Sequence, residues 1–270
     1  MTAMKFLKGH GTENDFVILP GVPDPEQLAP ETVRLLCDRR AGIGADGVLG
    51  VVRRQDGFFM DYRNADGSTA EMCGNGVRVF AHYLVSRGLV ERDEPLTVLT
   101  RDGEKRVTVH QATATDATVS VEMGTPEVLG VSTCEIDGQK FAGLAVSVGN
   151  PHLACVIPGM DAAELAGLRV GATPKFDEAF FPHGVNVEIA TELAADGVAM
   201  RVHERGAGET RSCGTGTVAT AVAALADAGK EDGTVEVTVP GGKVEVTLQD
   251  GRATLTGPSK IVAEGSFLVG

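Results

Sequence analysis

The 270-residue chain has no apolar stretch long enough to span a bilayer, so a helical membrane protein is excluded. Basic residues are scarce, 24 Lys and Arg against 37 Asp and Glu. The resulting net charge of −13 repels phosphate backbones, and no nucleic-acid partner is expected. Cysteine does not come as a paired set. The five residues Cys37, Cys73, Cys134, Cys155 and Cys213 are an odd number, which argues against a disulfide framework and for reduced thiols. The six histidines lack the clustered spacing of a zinc site, and no lysine stands in a recognisable pyridoxal setting. Neither metal nor cofactor is therefore expected. The opening Met1-Thr2-Ala3-Met4-Lys5-Phe6 lacks the apolar core of a signal peptide, and the expectation is a cytoplasmic protein without a membrane partner. Tryptophan is absent and aromatics make up only 4%, but 43% of residues are hydrophobic, enough for a packed globular protein. The length is generous for one compact core and comfortable for two modest ones.

What is present is a motif order written twice. Gly11-Thr12-Glu13-Asn14-Asp15-Phe16 is answered by Val148-Gly149-Asn150-Pro151-His152. Gly44-Ala45-Asp46-Gly47 is answered by Gly184-Val185-Asn186-Val187, and Cys73-Gly74-Asn75-Gly76 by Cys213-Gly214-Thr215-Gly216. Met123-Gly124-Thr125-Pro126 resembles Leu255-Thr256-Gly257-Pro258, and all four pairs stand about 140 residues apart. After each Cys-Gly-x-Gly comes a helical period. Val77, Phe80, Ala81 and Leu84 form one stripe, closed by Gly88; Val218, Ala221, Val222 and Leu225 form the other, closed by Gly229. Alternating strands follow each helix, clearest in the hairpin pattern of Val235, Val237 and Val239, Gly241-Gly242, then Val244, Val246 and Leu248. The expected fold is α+β: two pseudo-symmetric domains, each a mostly antiparallel β-sheet or barrel wrapped around a long helix. The expected boundaries are 1–123 and 124–259, with 260–270 returning to the first half.

A cysteine at a helix start sits among unpaired backbone N–H groups and partial positive charge. That field favours thiolate and binds carboxylate, and glycines let a ligand come close to the backbone. Placed face to face, two such sites would set one sulfur on each side of a carbon next to a bound carboxylate. One thiolate would take a proton from one face, and the opposite thiol would return a proton to the other. The helix ends would stabilise the charge that develops on the carboxylate. Stereoinversion needs a base and an acid on opposite sides, which accounts for the duplication. Cys73 and Cys213 are the candidate pair. Cys37, Cys134 and Cys155 have no glycine cradle and read as core residues.

At these residues the chain resembles the diaminopimelate epimerase family over essentially its whole length. The matching segments are His10-Gly11-Thr12-Glu13-Asn14-Asp15-Phe16, Gly42-Ile43-Gly44-Ala45-Asp46-Gly47, Asn64-Ala65-Asp66-Gly67-Ser68, Gly149-Asn150-Pro151-His152 and Glu204-Arg205-Gly206-Ala207-Gly208-Glu209-Thr210, together with the two cysteine motifs. The resemblance implies interconversion of LL- and meso-diaminopimelate in lysine and cell-wall precursor synthesis, without pyridoxal phosphate or metal, in a homodimer. It implies that Cys73 and Cys213 are the acid–base pair, with His152 and Glu204 adjusting their pKa values. Gly74, Asn75, Gly214 and Thr215 would hold the carboxylate at the reacting centre. Asn14, Asn64, Asn150, Asn186, Glu204 and Arg205 would hold the substrate. Many family members carry Gln where Gly47 stands here, so a substrate contact from that position is not carried over.

Other readings remain at this level. Proline racemases and hydroxyproline epimerases share Cys-Gly-Thr-Gly-Thr, but usually have His where Asn75 stands and are longer. A phenazine-pathway-like isomerase of the same double fold lacks the paired cysteines. A thiol redox switch formed by Cys73 and Cys213 is an alternative of another class.

Overall fold

A computed structural model describes residues 2–22, 28–92 and 94–269. The chain divides into two compact units, residues 1–121 with 257–270 and residues 122–256. In chain order the first contains β1 (Thr2–Gly11), β2 (Asn14–Leu19), α1 (Pro30–Cys37), β3 (Gly47–Arg54), β4 (Gly57–Asn64), α2 (Gly74–Ser86), β5 (Leu96–Thr100), β6 (Gly103–Ala112) and most of β7 (Asp116–Gly124). The second contains β8 (Glu127–Ile136), β9 (Gln139–Ser147), β10 (Pro151–Ile157), α3 (Ala162–Gly167), β11 (Lys175–Phe176), β12 (Asn186–Thr191), β13 (Val198–Glu204), β14 (Gly208–Thr210), α4 (Gly214–Asp227), β15 (Gly233–Val239) and β16 (Gly242–Gln249). A last long strand, β17 (Arg252–Val269), starts in the second unit and ends in the first.

The two units repeat one pairing order. In the first, β1–β2 is antiparallel, β2–β3 parallel, β3–β4 antiparallel, β4–β5 parallel, and β5–β6 and β6–β7 antiparallel. In the second, β9–β10, β10–β12, β12–β13, β13–β15, β15–β16 and β16–β17 follow the same alternation. A parallel step needs a crossover, and a helix supplies it each time: α1 and α2 in the first unit, α3 and α4 in the second. In the first unit β17 pairs with both β7 and β1 and closes an eight-stranded barrel. The strands are mostly antiparallel, as read from the sequence, and each unit has one long helix.

Side-chain periodicity explains these elements. Val107 lies opposite Val121, and Val109 opposite Val119, on the buried faces of β6 and β7. Val235–Val246 and Val237–Val244 do the same in the hairpin of β15 and β16. Residues 74–84 of α2 are all buried, and the helix packs against β1 through β6. Helices α1 and α3 have eight and six residues, too few for a period to stand out in the sequence. Cys37 packs in a core with Val17, Leu36 and Val48, while Cys134 and Cys155 pack with Phe141, Leu153 and Val187. All three are core residues, as expected. No described helix is long and apolar enough to cross a membrane.

One buried polar bridge ties β17 to α2. His82 lies 3.0 Å from Ser259 Oγ through Nδ1 and 3.0 Å from the Thr113 carbonyl through Nε2. The carbonyl can only accept, so Nε2–H donates to it and Nδ1 accepts from the Ser259 hydroxyl. Ser259→Ala strands that nitrogen in the core. The expected cost is about 1–3 kcal/mol, read as a lower urea midpoint with an unchanged slope.

Candidate active site

Each long helix starts on a cysteine. Cys73 and Cys213 are the N-caps of α2 and α4, with extended backbone at φ −143° and −127°. Each sulfur accepts a hydrogen bond at 3.4 Å from the N–H three residues on, that of Gly76 or Gly216. This is the geometry of a Ser or Asp cap with sulfur in the oxygen's place. A side chain at the donor position would collide in the second unit and be tight in the first. A Cβ on Gly216 would fall 2.5 Å from Glu188 Oε1 and 3.3 Å from the Cys213 sulfur, and one on Gly76 would fall 3.3 Å from Leu49 Cδ2. Gly74, Asn75 and Gly214 form the buried first turns, with Thr215 half-buried. The leading N–H groups of a helix have no carbonyl of their own to bond, so they point at whatever stands before the helix.

In the first unit, Asn14 Oδ1 faces both the Cys73 thiol at 3.5 Å and Asn75 Nδ2 at 3.2 Å. Asn14 Nδ2 donates to Asp46 at 2.8 Å, which fixes the amide's orientation. Asp46 is held in turn by Arg39, which also spans Asp15 at 2.7 and 3.0 Å. Lys8 completes the cluster, bonding Asp15 and the Gly44 carbonyl. Burial is the largest single influence on Asp15 and pushes its carboxyl up. The hydrogen bonds and charges of Arg39 and Lys8 together outweigh it and bring the pKa to about 2. The turn before Asn14 holds Thr12 and Glu13 at φ 49° and 62°. Beneath it lies Arg78, fully buried, its Nη2 3.4 Å from Thr12 Oγ1 and its Nε 3.4 Å from the Pro258 carbonyl. Burial pushes this guanidinium down to about 10, with Cys73 pulling the other way. Asn64, at the end of β4, turns to its own loop and donates to Ser68 Oγ at 3.0 Å.

In the second unit, Cys213 is buried and lies 3.5 Å from Thr215 Oγ1. Glu204, the last residue of β13, accepts from Thr210 and is hydrogen-bonded with the Cys213 thiol. His152 is fully buried on β10, with Nδ1 2.7 Å from Glu188 and Nε2 3.0 Å from Asn150 Oδ1. Asn186 Nδ2 donates to the Pro151 carbonyl, and Asn186 Oδ1 accepts from the Arg205 N–H at 2.9 Å. The Arg205 guanidinium donates to the His183 carbonyl at 2.6 Å and passes over Gly184, where a Cβ would meet its Cδ at 2.8 Å. Burial pushes the Cys213 thiol well above its ordinary value, and the charges of Glu204 and Glu188 add to this. Bonds from Thr215 and the Gly216 N–H work in the opposite direction without reversing it. Burial likewise raises Glu204, against the bonds from Thr210 and Cys213. Cys213 therefore rests as a thiol.

Of the residues singled out in the sequence, Asn14 and Asn75 gather at Cys73 and Glu204 and Thr215 at Cys213; His152 with Asn150, and Asn186 with Arg205, form bonded pairs in the second unit, and Asn64 bonds its own loop. Sequence reasoning missed Asp46's role as the anchor of Asn14, and it missed Arg78 and Glu188. The signal for the last two was a charge inside an apolar run, Val77-Arg78-Val79-Phe80 and Val187-Glu188-Ile189-Ala190.

A family model described as diaminopimelate epimerase matches residues 6–129 and 144–262. A diaminopimelate epimerase of Corynebacterium glutamicum is 61% identical, with 98% of each chain covered. One of Rhodococcus opacus is 55% identical, over 98% of this chain and 97% of its own. Among solved structures, a predicted epimerase from Pseudomonas aeruginosa superposes with a TM-score of 0.72 at 14% identity, covering 99% of this chain and all of its own. At that identity the likeness concerns the fold alone.

Two outcomes are expected from the electrostatics. Asp15 is depressed from 3.8 to about 2, so its contribution is complete above pH 4 and disappears as pH falls through 2. Allowing for screening, Asp15→Asn removes about 1–2 kcal/mol near neutral pH, and acid unfolding of the two proteins converges below pH 2. Glu204→Gln removes a negative charge beside Cys213. The ultraviolet thiolate band that is lost in Cys213→Ser then titrates at lower pH in Glu204→Gln than in the parent protein.

Proposed function

The chain belongs to the diaminopimelate epimerase family, and from that premise we propose that it interconverts LL- and meso-2,6-diaminopimelate by a two-thiol proton transfer. It is an isomerase acting on a small amino acid. The observation that carries the mechanism is the duplicated cap: two cysteines, each bonded to the N–H three residues on at the head of a glycine-started helix. Inversion at carbon requires a base on one face and an acid on the other, and these thiols are the two equivalent groups the chain offers.

In the forward step one sulfur, as thiolate, takes the α-proton and becomes a thiol. The electron pair passes to the α-carbon and its carboxylate. The other sulfur, as thiol, gives its proton to the opposite face and becomes a thiolate. The protein ends with the protonation of its sulfurs exchanged, and solvent resets it. Helix N–H groups at Gly74, Asn75, Gly214 and Thr215 stabilise the carboxylate as charge builds on it. Asn14 keeps an acceptor beside the Cys73 proton, and Glu204 plays that part beside Cys213. His152 modulates the second cluster. Asn64, Asn150, Asn186 and Arg205 bind the rest of the substrate, including the amino-acid end that is not inverted. No cofactor or metal enters this scheme. Each half, 1–123 with 260–270 and 124–259, supplies one thiol. The acidic net charge and the family resemblance support a cytoplasmic homodimer without nucleic-acid or membrane partners.

Incubation of the reduced protein with LL-diaminopimelate in deuterated water tests this directly. Proton NMR should show deuterium entering one α-position as the meso isomer grows. Cys73→Ala and Cys213→Ala should each lose net inversion by about 10³-fold or more. A folded, reduced protein that exchanges no α-proton of this substrate removes the assignment, and activity on proline or hydroxyproline would replace it.

A further inference from the structure

Glu188 is a carboxylate with no exposure, in the middle of β12 between Val187 and Ile189, which are equally buried. Its Oε1 lies 2.7 Å from His152 Nδ1, and its Oε2 is buried without any hydrogen-bond partner. A half-satisfied buried carboxylate is costly, and nothing in the packing of β12 requires one. The groups that face it come from three other strands and the head of a helix: His152 and Cys155 from β10, Cys134 from β8, Glu204 from β13 and Cys213 before α4. Gly216, in the first turn of α4, is the close approach. Its missing Cβ would have stood 2.5 Å from Glu188 Oε1.

The other nitrogen of His152 also has a partner. Nε2 lies 3.0 Å from Asn150 Oδ1, so both ring nitrogens face acceptors. A neutral imidazole has one N–H and cannot serve both. Three arrangements remain: an imidazolium beside a carboxylate, a neutral ring beside a protonated Glu188, or a neutral ring that accepts from Asn150 Nδ2 with the amide turned over. The carboxylate lies against the first turn of α4, where the helix end favours the anion over a protonated Glu188, and the imidazolium is the arrangement that keeps both contacts with Asn150 Oδ1 facing the ring.

We propose that Glu188 is a positioning residue that holds His152 as an imidazolium, and that the ring's outer N–H in turn locks Asn150 with Oδ1 inward and its amide donor outward. The chain Glu188–His152–Asn150 then presents an N–H donor to an anionic substrate group. The ion pair also offsets part of the charge that Glu188 sets against a Cys213 thiolate. That charge is one of the influences raising Cys213, behind burial and Glu204. The consequence for substrate rests on the epimerase reading; the protonation of His152 does not.

The test is nitrogen-15 NMR of the imidazole, with His152 assigned by through-bond correlation, on the substrate-free protein at about pH 7.5. Both ring nitrogens of His152 should carry protons in the parent protein, and only one in Glu188→Gln. The variant should keep the parent's circular dichroism. Its KM for diaminopimelate should rise about tenfold or more, by a larger factor than kcat falls. A parent protein with one ring proton on His152 overturns the proposal, whether or not Glu188→Gln folds. So does a Glu188→Gln protein in which His152 keeps both. If the NMR result holds and the chain fails to epimerise diaminopimelate, the triad stands and the function reading falls.

Discussion

A sulfur held at the mouth of a helix by the N–H three residues on is the constraint around which both units are organised. The cap has extended backbone at the cysteine, and in the second unit the residue that donates must have no side chain, because a Cβ at Gly216 would collide with Glu188 and crowd the sulfur. The helix must then be anchored deeply enough that its end cannot drift. In the first unit this is met by burying residues 74–84 of α2 against six strands. Each helix supplies the crossover that a parallel pair needs, and hairpins supply the antiparallel steps between them.

The two caps share geometry but not electrostatics. Around Cys73 the near neighbours are amides, Asn14 and Asn75, and the charged groups Asp46, Asp15, Arg39 and Lys8 act through Asn14's orientation. Arg78 supplies buried positive charge from the same helix. Around Cys213 the neighbours are carboxylates, Glu204 and Glu188, and Glu188 is bonded to His152. Duplication therefore preserved the cap and let its surroundings diverge. In the proposed reaction the two sulfurs exchange roles in the two directions, so the asymmetry sets which sulfur starts as thiol. Burial and two acidic neighbours make that sulfur Cys213.

Buried charge marks the places where packing gives way to chemistry. Arg78 and Glu188 lie within otherwise apolar segments, each fully buried and each with an atom that meets no partner. By contrast the buried bridge of His82 with Ser259 and Thr113 is satisfied at both ends and joins elements of the barrel. A bridge with both ends satisfied needs no explanation beyond packing. The unsatisfied atoms occur on the helix of Cys73 and beside the cap of Cys213.

The sequence by itself determined the duplication, the helices after each Cys-Gly-x-Gly, the β15–β16 hairpin, the core character of Cys37, Cys134 and Cys155, and the candidate thiols. These are local signals, carried by periods, turn residues and motif spacing that survive without knowledge of neighbours. The return of 260–270 to the first half was expected from the sequence, but only the tertiary structure decided between an open sheet and a barrel closed by β17 on both β7 and β1, because strand partners far apart in sequence share no local pattern. Only it showed that Asn64 bonds its own loop, that Asp46 orients Asn14, and that Glu188 stands beside both His152 and the cap of Cys213. A carboxylate's role depends on what lies within hydrogen-bond reach. For Glu188 that is a histidine 36 residues away, brought alongside by the parallel pairing of β10 with β12.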